Sequence, residues 1–406
     1  MTQVSEESRS PLLGRTSVLV LTVMSFGYAV YAADRTVLSS VLAPLASTLN
    51  LSNNELGLLG SAQYLGVLTF VFIAGHLSDR YGKWFVVTVG VVVFTSFTWL
   101  IGLSTNFLEA FLFRLVSGFG EGMFWPVAMA TVANHFRGRK GLALGIFYVG
   151  FDVGSVAGLS IGGITYSLTG DWRPAFFVAP LLGLLIIAGA IVTNRKTGSS
   201  FGEDRGIRLG KDMLQLVRNK NATLLMLFAF LATWASVWQV VFLPYYFFKV
   251  MHFTILSSAL LSAAVTASGA CGKILLGGVS DRLRRNRLLV AISVAALLSY
   301  ALFFESSNFT LDMIGALSMG FFSAAIFPIM QALMSDSCGL PKRTGTALGL
   351  TTSAQSVATV ISPAITASLF FLGVGRILAL DAMIPAALTI IVALFLKEPR
   401  LRVISN

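Results

Sequence analysis

Charge is what this chain has least of. Only 12% of its 406 residues are Asp, Glu, Lys or Arg, against about 25% in an ordinary soluble domain. A deficit of that size cannot be hidden in one large core, because single cores stop growing near about 250–300 residues. With 55% hydrophobic residues and a mean hydropathy of +0.80, the solvent for most of the chain is lipid. Cysteine is nearly absent too. Cys271 and Cys338 are too few for a disulfide framework and lack metal-ligand spacing, so buried apolar thiols are expected. The three histidines, His76, His135 and His252, fall at helix ends or loops. The sequence holds no zinc-protease pair, phosphate-binding P-loop or dinucleotide fingerprint. These absences argue against a metalloenzyme, a nucleotide-driven pump and a resident cofactor. No nucleophile–base set suggests an enzyme of any other kind.

What is present is a series of long apolar runs. Twelve segments can cross about 30 Å of hydrocarbon, near 16–46, 55–76, 84–104, 107–134, 140–166, 174–193, 222–249, 255–278, 287–305, 311–334, 344–370 and 379–396. In lipid only helices or a closed barrel satisfy the backbone, so the expected fold class is an all-α membrane protein of twelve transmembrane helices. Arg9 and Arg15 precede the first run, an arrangement that resembles a signal peptide. Eleven further apolar runs exclude a secreted soluble remainder, and residues 1–14 are read as a cytoplasmic tail. With that end inside, 23 of the 29 Lys and Arg residues lie on the cytoplasmic side, as the positive-inside rule requires. The same asymmetry explains the net charge of +11 without a nucleic-acid partner. The polar stretch 194–221 divides two six-helix halves, 15–193 and 222–396, and a second cytoplasmic tail follows at 397–406. Within the linker, "LGKDMLQLVRN" can form a surface amphipathic helix or a solvated strap. The expected setting is the cell membrane, multi-pass, both termini cytoplasmic, surrounded by lipid, as a monomer.

The two halves echo each other. "GHLSDRYGK" at 75–83 matches "GGVSDRLRR" at 277–285 at an offset of 202, and Pro126 matches Pro328 at the same offset. "RKGLALG" matches "RTGTALG" at 204. Parallel six-helix repeats related by an axis along the membrane normal suit a rocking carrier with its substrate near the midplane between the repeats. The charged loop motif has a mechanical reading. Asp79 and Asp281 can accept hydrogen bonds from a neighbouring helix N-terminus or from arginine, with Arg80, Lys83 and Arg282 beside them and Gly75 and Gly82 allowing close helix approach. Such a gate would hold the inner side shut in one state. "GHLSDRYGK" resembles the signature of the major facilitator superfamily, and its echo stands where that family carries a weaker copy. The resemblance spans essentially the whole chain and implies alternating access.

Six ionisable residues lie at mid-depth: Asp34, Arg35, Arg114, Glu121, Asp152 and Lys273. Their formal charges cancel, which a low-dielectric interior tolerates best, and intramembrane charges point to function by default. Arg114 and Glu121 are seven residues apart, about two turns and about 10 Å along one helix face. Each is therefore expected to meet a charge from another helix. Asp34 and Arg35 diverge by about 100° and also face different neighbours. A ring of alternating charge joining helices 1, 4 and 5 would bind and release a proton as its partners exchange. The static alternative is a set of structural ion pairs.

"ADRTVLSSVLAPLAS" together with "FRLVSGFGEGMFWPV" resembles the anion:cation symporter family, which includes sugar-acid carriers and the sialin and vesicular glutamate group. The residues that carry the likeness are Asp34, Arg35, Arg114, Gly118, Glu121, Gly122 and Pro126. It implies protonatable roles for Asp34 and Glu121 and a substrate-carboxylate or coupling role for Arg35. Asp152 stands where that family more often has a small or amide residue, which leaves open a different proton pathway or a cationic substrate group. Lys273 can bind a substrate carboxylate or extend toward the cytoplasm.

Helix 7 reads "TWASVWQVVFLPYYFFK". Trp234 and Trp238 share a face, Gln239 offers an amide, and Pro244 can break the helix near its outer end. Tyr31, Tyr64, Trp238, Gln239 and Gln355 are candidate cavity-lining groups beside Arg35, Arg114 and Lys273. The alternative for the helix 7 aromatics is an interfacial belt. The expectation is proton-coupled symport of a small organic anion, a carboxylate or sugar acid. The rival is a proton-driven efflux antiporter for lipophilic or cationic compounds.

Overall fold

The computed structural model describes residues 15–136, 140–197, 219–280, 282–306, 308–337 and 344–397. Every long element among them is a helix. In chain order these are α1 (Arg15–Thr48), α2 (Asn53–Tyr81), α3 (Lys83–Ile101), α4 (Phe107–His135), α5 (Lys140–Thr169), α6 (Arg173–Thr197), α7 (Lys220–Val241), α8 (Leu243–Lys249), α9 (Ile255–Ser280), α10 (Arg285–Glu305), α11 (Phe309–Ser337), α12 (Thr344–Ser368) and α13 (Val374–Leu394). The twelve expected spans are all here, the seventh divided into α7 and α8. The division falls at Phe242, and Pro244 sits in the first turn of α8, where a missing N–H costs nothing. Among the described residues nine helices are long and apolar enough to cross a membrane by length and composition alone. α4, which carries Arg114 and Glu121, is not one of them.

Large apolar side chains face outward all along the chain, among them Leu168, Leu184, Ile274, Leu298, Phe371 and Leu394. On a water-soluble protein so much exposed apolar surface would aggregate; in lipid it is the solvated surface. The loop-facing helix ends are finished differently. Ser52 caps α2 in a reciprocal box, its backbone N–H donating to Glu55 Oε2 at 2.8 Å. Asn106 caps α4 by accepting from the Glu109 N–H at 3.0 Å.

The chain forms two compact units. One holds α1–α6 with the stretch Phe247–Ala263; the other holds Gly206–Tyr246 and Ala264–Asn406. In the first, α1 packs on α5, and α4 packs on both α2 and α3. Small residues make the closest crossings possible. A Cβ on Gly118 of α4 would strike the Gln63 carbonyl of α2, and a Cβ on Gly320 of α11 would strike the Val265 carbonyl of α9. Both members of that pair are displaced by 202 residues, so the repeat read from sequence is repeated in backbone contact as well.

The loop motif is less fully in view. The Asp79 side chain and the whole of Asp281 lie outside the described residues, so the proposed gate acids have no geometry here. Arg80 is exposed, with its guanidinium 5.3 Å from the Tyr81 ring centre. Lys83 is half-buried at the start of α3, and Arg282 is exposed. Close helix approach is not the reason for the two glycines. A Cβ on Gly75 would meet nothing within 4 Å, and Gly82 instead adopts a φ of +88°, a turn conformation that favours glycine. Cys271 is exposed rather than buried, because it lies on an outward face of α9. Cys338 and the expected amphipathic segment of the linker lie outside the described residues.

Candidate functional site

The helices of the first unit bring four of the mid-depth charges together. Arg35 on α1 donates from Nε to Glu121 Oε2 on α4 at 2.8 Å. Glu121 is wholly buried, while the Arg35 side chain keeps 13% of its surface exposed. Asp34, one residue earlier, turns to another partner set. Its Oδ2 accepts from Ser117 Oγ on α4 at 3.1 Å and from Gln63 Nε2 on α2 at 3.0 Å. The same Gln63 nitrogen donates to Glu121 Oε1 at 2.6 Å. One amide thus spans both carboxyl groups, using its two N–H bonds. The Thr98 hydroxyl on α3 stands 3.1 Å from Ser117 Oγ and extends the network.

Among the described residues Arg114 does not close an ion pair. Its Nη1 donates to the Asp34 carbonyl at 3.2 Å and its Nη2 to the Arg35 carbonyl at 3.0 Å. The expected ring of alternating charge is therefore corrected at this point. Arg114 braces the backbone of α1 where the two functional side chains emerge, and α2 and α4 complete the cluster with α1. Asp152 is buried on α5. Tyr31 and Tyr64 both flank Arg35. Their rings, not their hydroxyls, face the cation, with the Arg35 Cζ 4.4 Å from the Tyr31 centroid and 4.9 Å from that of Tyr64. Stacking of this kind suits the flat, weakly hydrated guanidinium and would not suit lysine equally well.

Two valences of this cluster are open. The Arg35 terminal nitrogens make no protein hydrogen bond among the described residues, since Glu121 engages Nε alone. Asp34 Oδ1 is buried without a hydrogen-bond partner, although Oδ2 accepts two. Gln63 went unnoticed in the sequence because one amide in "GSAQYLG" gives no charge signal. Its position is fixed by the tight α2–α4 crossing at Gly66 and Gly118, which brings the two backbones together next to it.

In the second unit the candidates divide. Trp238 is fully buried, its ring packed against Tyr300, Phe303 and Phe304, so it builds the core of that unit. Gln239 donates to the Tyr300 hydroxyl at 2.8 Å and to Ser323 Oγ at 3.3 Å. Ser323 is the repeat counterpart of Glu121, and Val265 that of Gln63, so the equivalent crossing carries no charge. Lys273 and Gln355 are half-buried on α9 and α12. Asp381 on α13, which sequence reading passed over near a helix end, accepts from Trp234 Nε1 at 2.7 Å and from Thr366 Oγ1 at 2.8 Å.

A family model described as Major Facilitator Superfamily matches residues 24–363. The fruit fly Drosophila melanogaster protein named "Protein spinster" is 28% identical over 53% of this chain, and the match spans only 36% of the fly protein. "Probable anion transporter 3, chloroplastic" of Arabidopsis thaliana is 30% identical over 69% of this chain and 58% of its own length. A crystal structure of a bacterial homolog to the human lysosomal transporter Spinster has the same fold, with a TM-score of 0.74, 17% identity, and coverage of 94% of this chain and 95% of that one.

Proposed function

This chain belongs to the Major Facilitator Superfamily, and from that premise we propose that it moves a small organic anion, a carboxylate or sugar acid, by proton-coupled symport. That it is a multi-pass membrane transporter follows from the family and the fold; the cargo and the coupling are the proposal. The observation that carries it is the state of Arg35. A guanidinium held at Nε by Glu121 and flanked by two tyrosine rings has its forked end left over. That fork matches a carboxylate in two parallel hydrogen bonds.

The carboxyl groups supply the coupling. With Glu121 ionised, Arg35 is already neutralised by a buried partner and attracts an anion weakly. A proton on Glu121 removes that competitor, and the cation becomes free to hold cargo. At Asp34 two donors meet one oxygen and none the other, an arrangement in which a neutral acid costs less than a buried carboxylate. A neutral Asp34 leaves the cluster, which holds Arg35 and Arg114, with two excess positive charges whenever Glu121 is also neutral. Gln63 connects the two acids, so a change of charge at one alters the donor available to the other. Binding the anion and the proton together leaves the net charge of the low-dielectric interior unchanged, whereas either alone would alter it, and that balance is what makes the two travel as a pair. The likeness to an anion transporter from Arabidopsis supports the choice of cargo sign. Gating by Asp79, Arg80, Asp281 and Arg282, and substrate contacts from Gln239, Lys273 and Gln355, belong to the same proposal, as do the cell-membrane setting and cytoplasmic termini.

The test is uptake of a panel of carboxylates into proteoliposomes under an imposed inward proton gradient. At least one acid is expected to accumulate and to be lost when a protonophore collapses the gradient. Uptake that is flat across the panel, or indifferent to the gradient, overturns the reading.

A further inference from the structure

Asp381 lies seven residues into α13, about 10 Å from its start, and the charge cluster of the first unit does not involve it. Its Oδ1 accepts two hydrogen bonds, one from the Trp234 indole of α7 and one from the Thr366 hydroxyl of α12. Its Oδ2 is buried and has no hydrogen-bond partner. Among the described residues the ion pairs are Arg35–Glu121 and Arg173–Asp171, so no cation is paired with Asp381. The two groups that hydrogen-bond to it carry no charge: the Trp234 indole on α7 and the Thr366 hydroxyl on α12. Arg376, the basic residue on its own helix, makes no ion pair with it.

An ionised carboxylate uses both oxygens as acceptors, with room for about four donors. Buried without a cation and with one oxygen bare, it would be strongly destabilised. A neutral acid fits the site at lower cost: its carbonyl oxygen accepts the two donors, and Oδ2 buries one unmatched O–H in place of a charge. We propose that Asp381 is a proton-binding site of the second unit, occupied in the structure described and separate from the carboxyl groups of the first unit. Proton release breaks the Oδ2–H bond and passes H⁺ to water. The carboxylate left behind needs donors on Oδ2 that α7, α12 and α13 do not provide in this packing. Proton occupancy at Asp381 is thereby tied to how those three helices meet, on the same helix α7 that carries Gln239. The inference stands whether or not the first unit couples protons to cargo.

Infrared difference spectroscopy of the full-length protein in lipid bilayers, recorded while the pH is raised, reads the protonated carboxyl directly through its C=O stretch. Asp381→Asn keeps an acceptor for Trp234 and Thr366, and it is expected to remove one carboxylic acid band from the titration. Thr366→Val is expected to move that band to higher frequency by removing one donor to the carbonyl oxygen. The double variant Asp34→Asn/Glu121→Gln is expected to keep it, which separates this site from the proposed coupling pair. An unchanged set of bands in Asp381→Asn, or an unshifted band in Thr366→Val, overturns the proposal. If the first variant does not fold, the second decides.

Discussion

The Arg35 Nε–H points at Glu121 Oε2 across 2.8 Å, and no surface of Glu121 reaches solvent. Removing one member of a buried pair leaves an unmatched charge and costs on the order of 3–5 kcal/mol. Replacing the arginine by lysine keeps the charge but loses the forked geometry and the ring stacking. Arg35→Lys is therefore expected to retain the fold while carboxylate uptake falls at least about tenfold, equivalent to about 1.4 kcal/mol. Wild-type uptake by Arg35→Lys in proteoliposomes would show that the cation acts only through its charge. Arg35→Gln separates the rival: loss of anion uptake agrees with symport, whereas proton-driven export of a lipophilic cation that survives in this variant would favour the antiporter.

Neutralising the acids separates binding from coupling. Inward symport draws its proton from outside, so wild-type uptake is expected to rise as the external pH falls. Glu121→Gln mimics the protonated acid permanently. This variant is expected to exchange labelled for unlabelled anion across the membrane, to fail to accumulate it against a gradient, and to lose most of the pH dependence. Counterflow and accumulation measured on the same vesicles check this. Uphill accumulation by Asp34→Asn/Glu121→Gln would remove both carboxyls from the coupling step.

The helices were legible in the sequence because lipid imposes a long apolar run on each span, and such runs survive without an alignment. The charges at Asp34, Arg35 and Glu121 were legible for the complementary reason that they interrupt those runs. What could not be read was which partner each would meet. Arg114 carries as strong a sequence signal as Arg35, yet it holds two backbone carbonyls. That choice depends on the rotation of α4 against α1, which heptad-scale spacing does not determine. Gln63 and the Trp234–Asp381–Thr366 contact were hidden because hydrogen bonds between distant, mostly uncharged groups leave no local pattern. Trp238 shows the opposite error, since an aromatic at cavity depth in the sequence is packed wholly within its own unit.

Gln63 gives a third expectation. Its amide is 1% exposed and donates to both acids. Gln63→Leu preserves approximate size while leaving two buried acceptors short of a donor, a cost of about 1–3 kcal/mol each. Thermal unfolding in detergent is expected to come earlier than in wild type. The pH profile of uptake is expected to shift, because an acid that has lost a donor is less able to stay ionised. The sign follows: each affected carboxyl holds its proton to higher pH, so the acid-side stimulation of uptake extends toward alkaline pH. A profile that superimposes on wild type would mean that the amide only fills space.

The glycines supply a test in which backbone geometry alone distinguishes the outcomes. At Gly118 any Cβ collides with the Gln63 carbonyl, whereas at Gly75 it meets open space. Gly118→Ala is expected to force α2 and α4 apart and to displace Gln63 from both carboxyls, with a large loss of uptake beside whatever stability is lost. Gly75→Ala is expected to stabilise slightly, by up to the gain in helix propensity of about 1 kcal/mol. Gly82→Ala, at φ +88° and ψ 149°, is forced into a backbone region that is essentially glycine's alone, at a cost of about 1–3 kcal/mol. The three variants measured side by side, for melting temperature and for uptake per folded molecule, give the ranking. Equal loss at Gly75 and Gly118 would mean that the α2–α4 crossing described here is not what places the amide between the two acids.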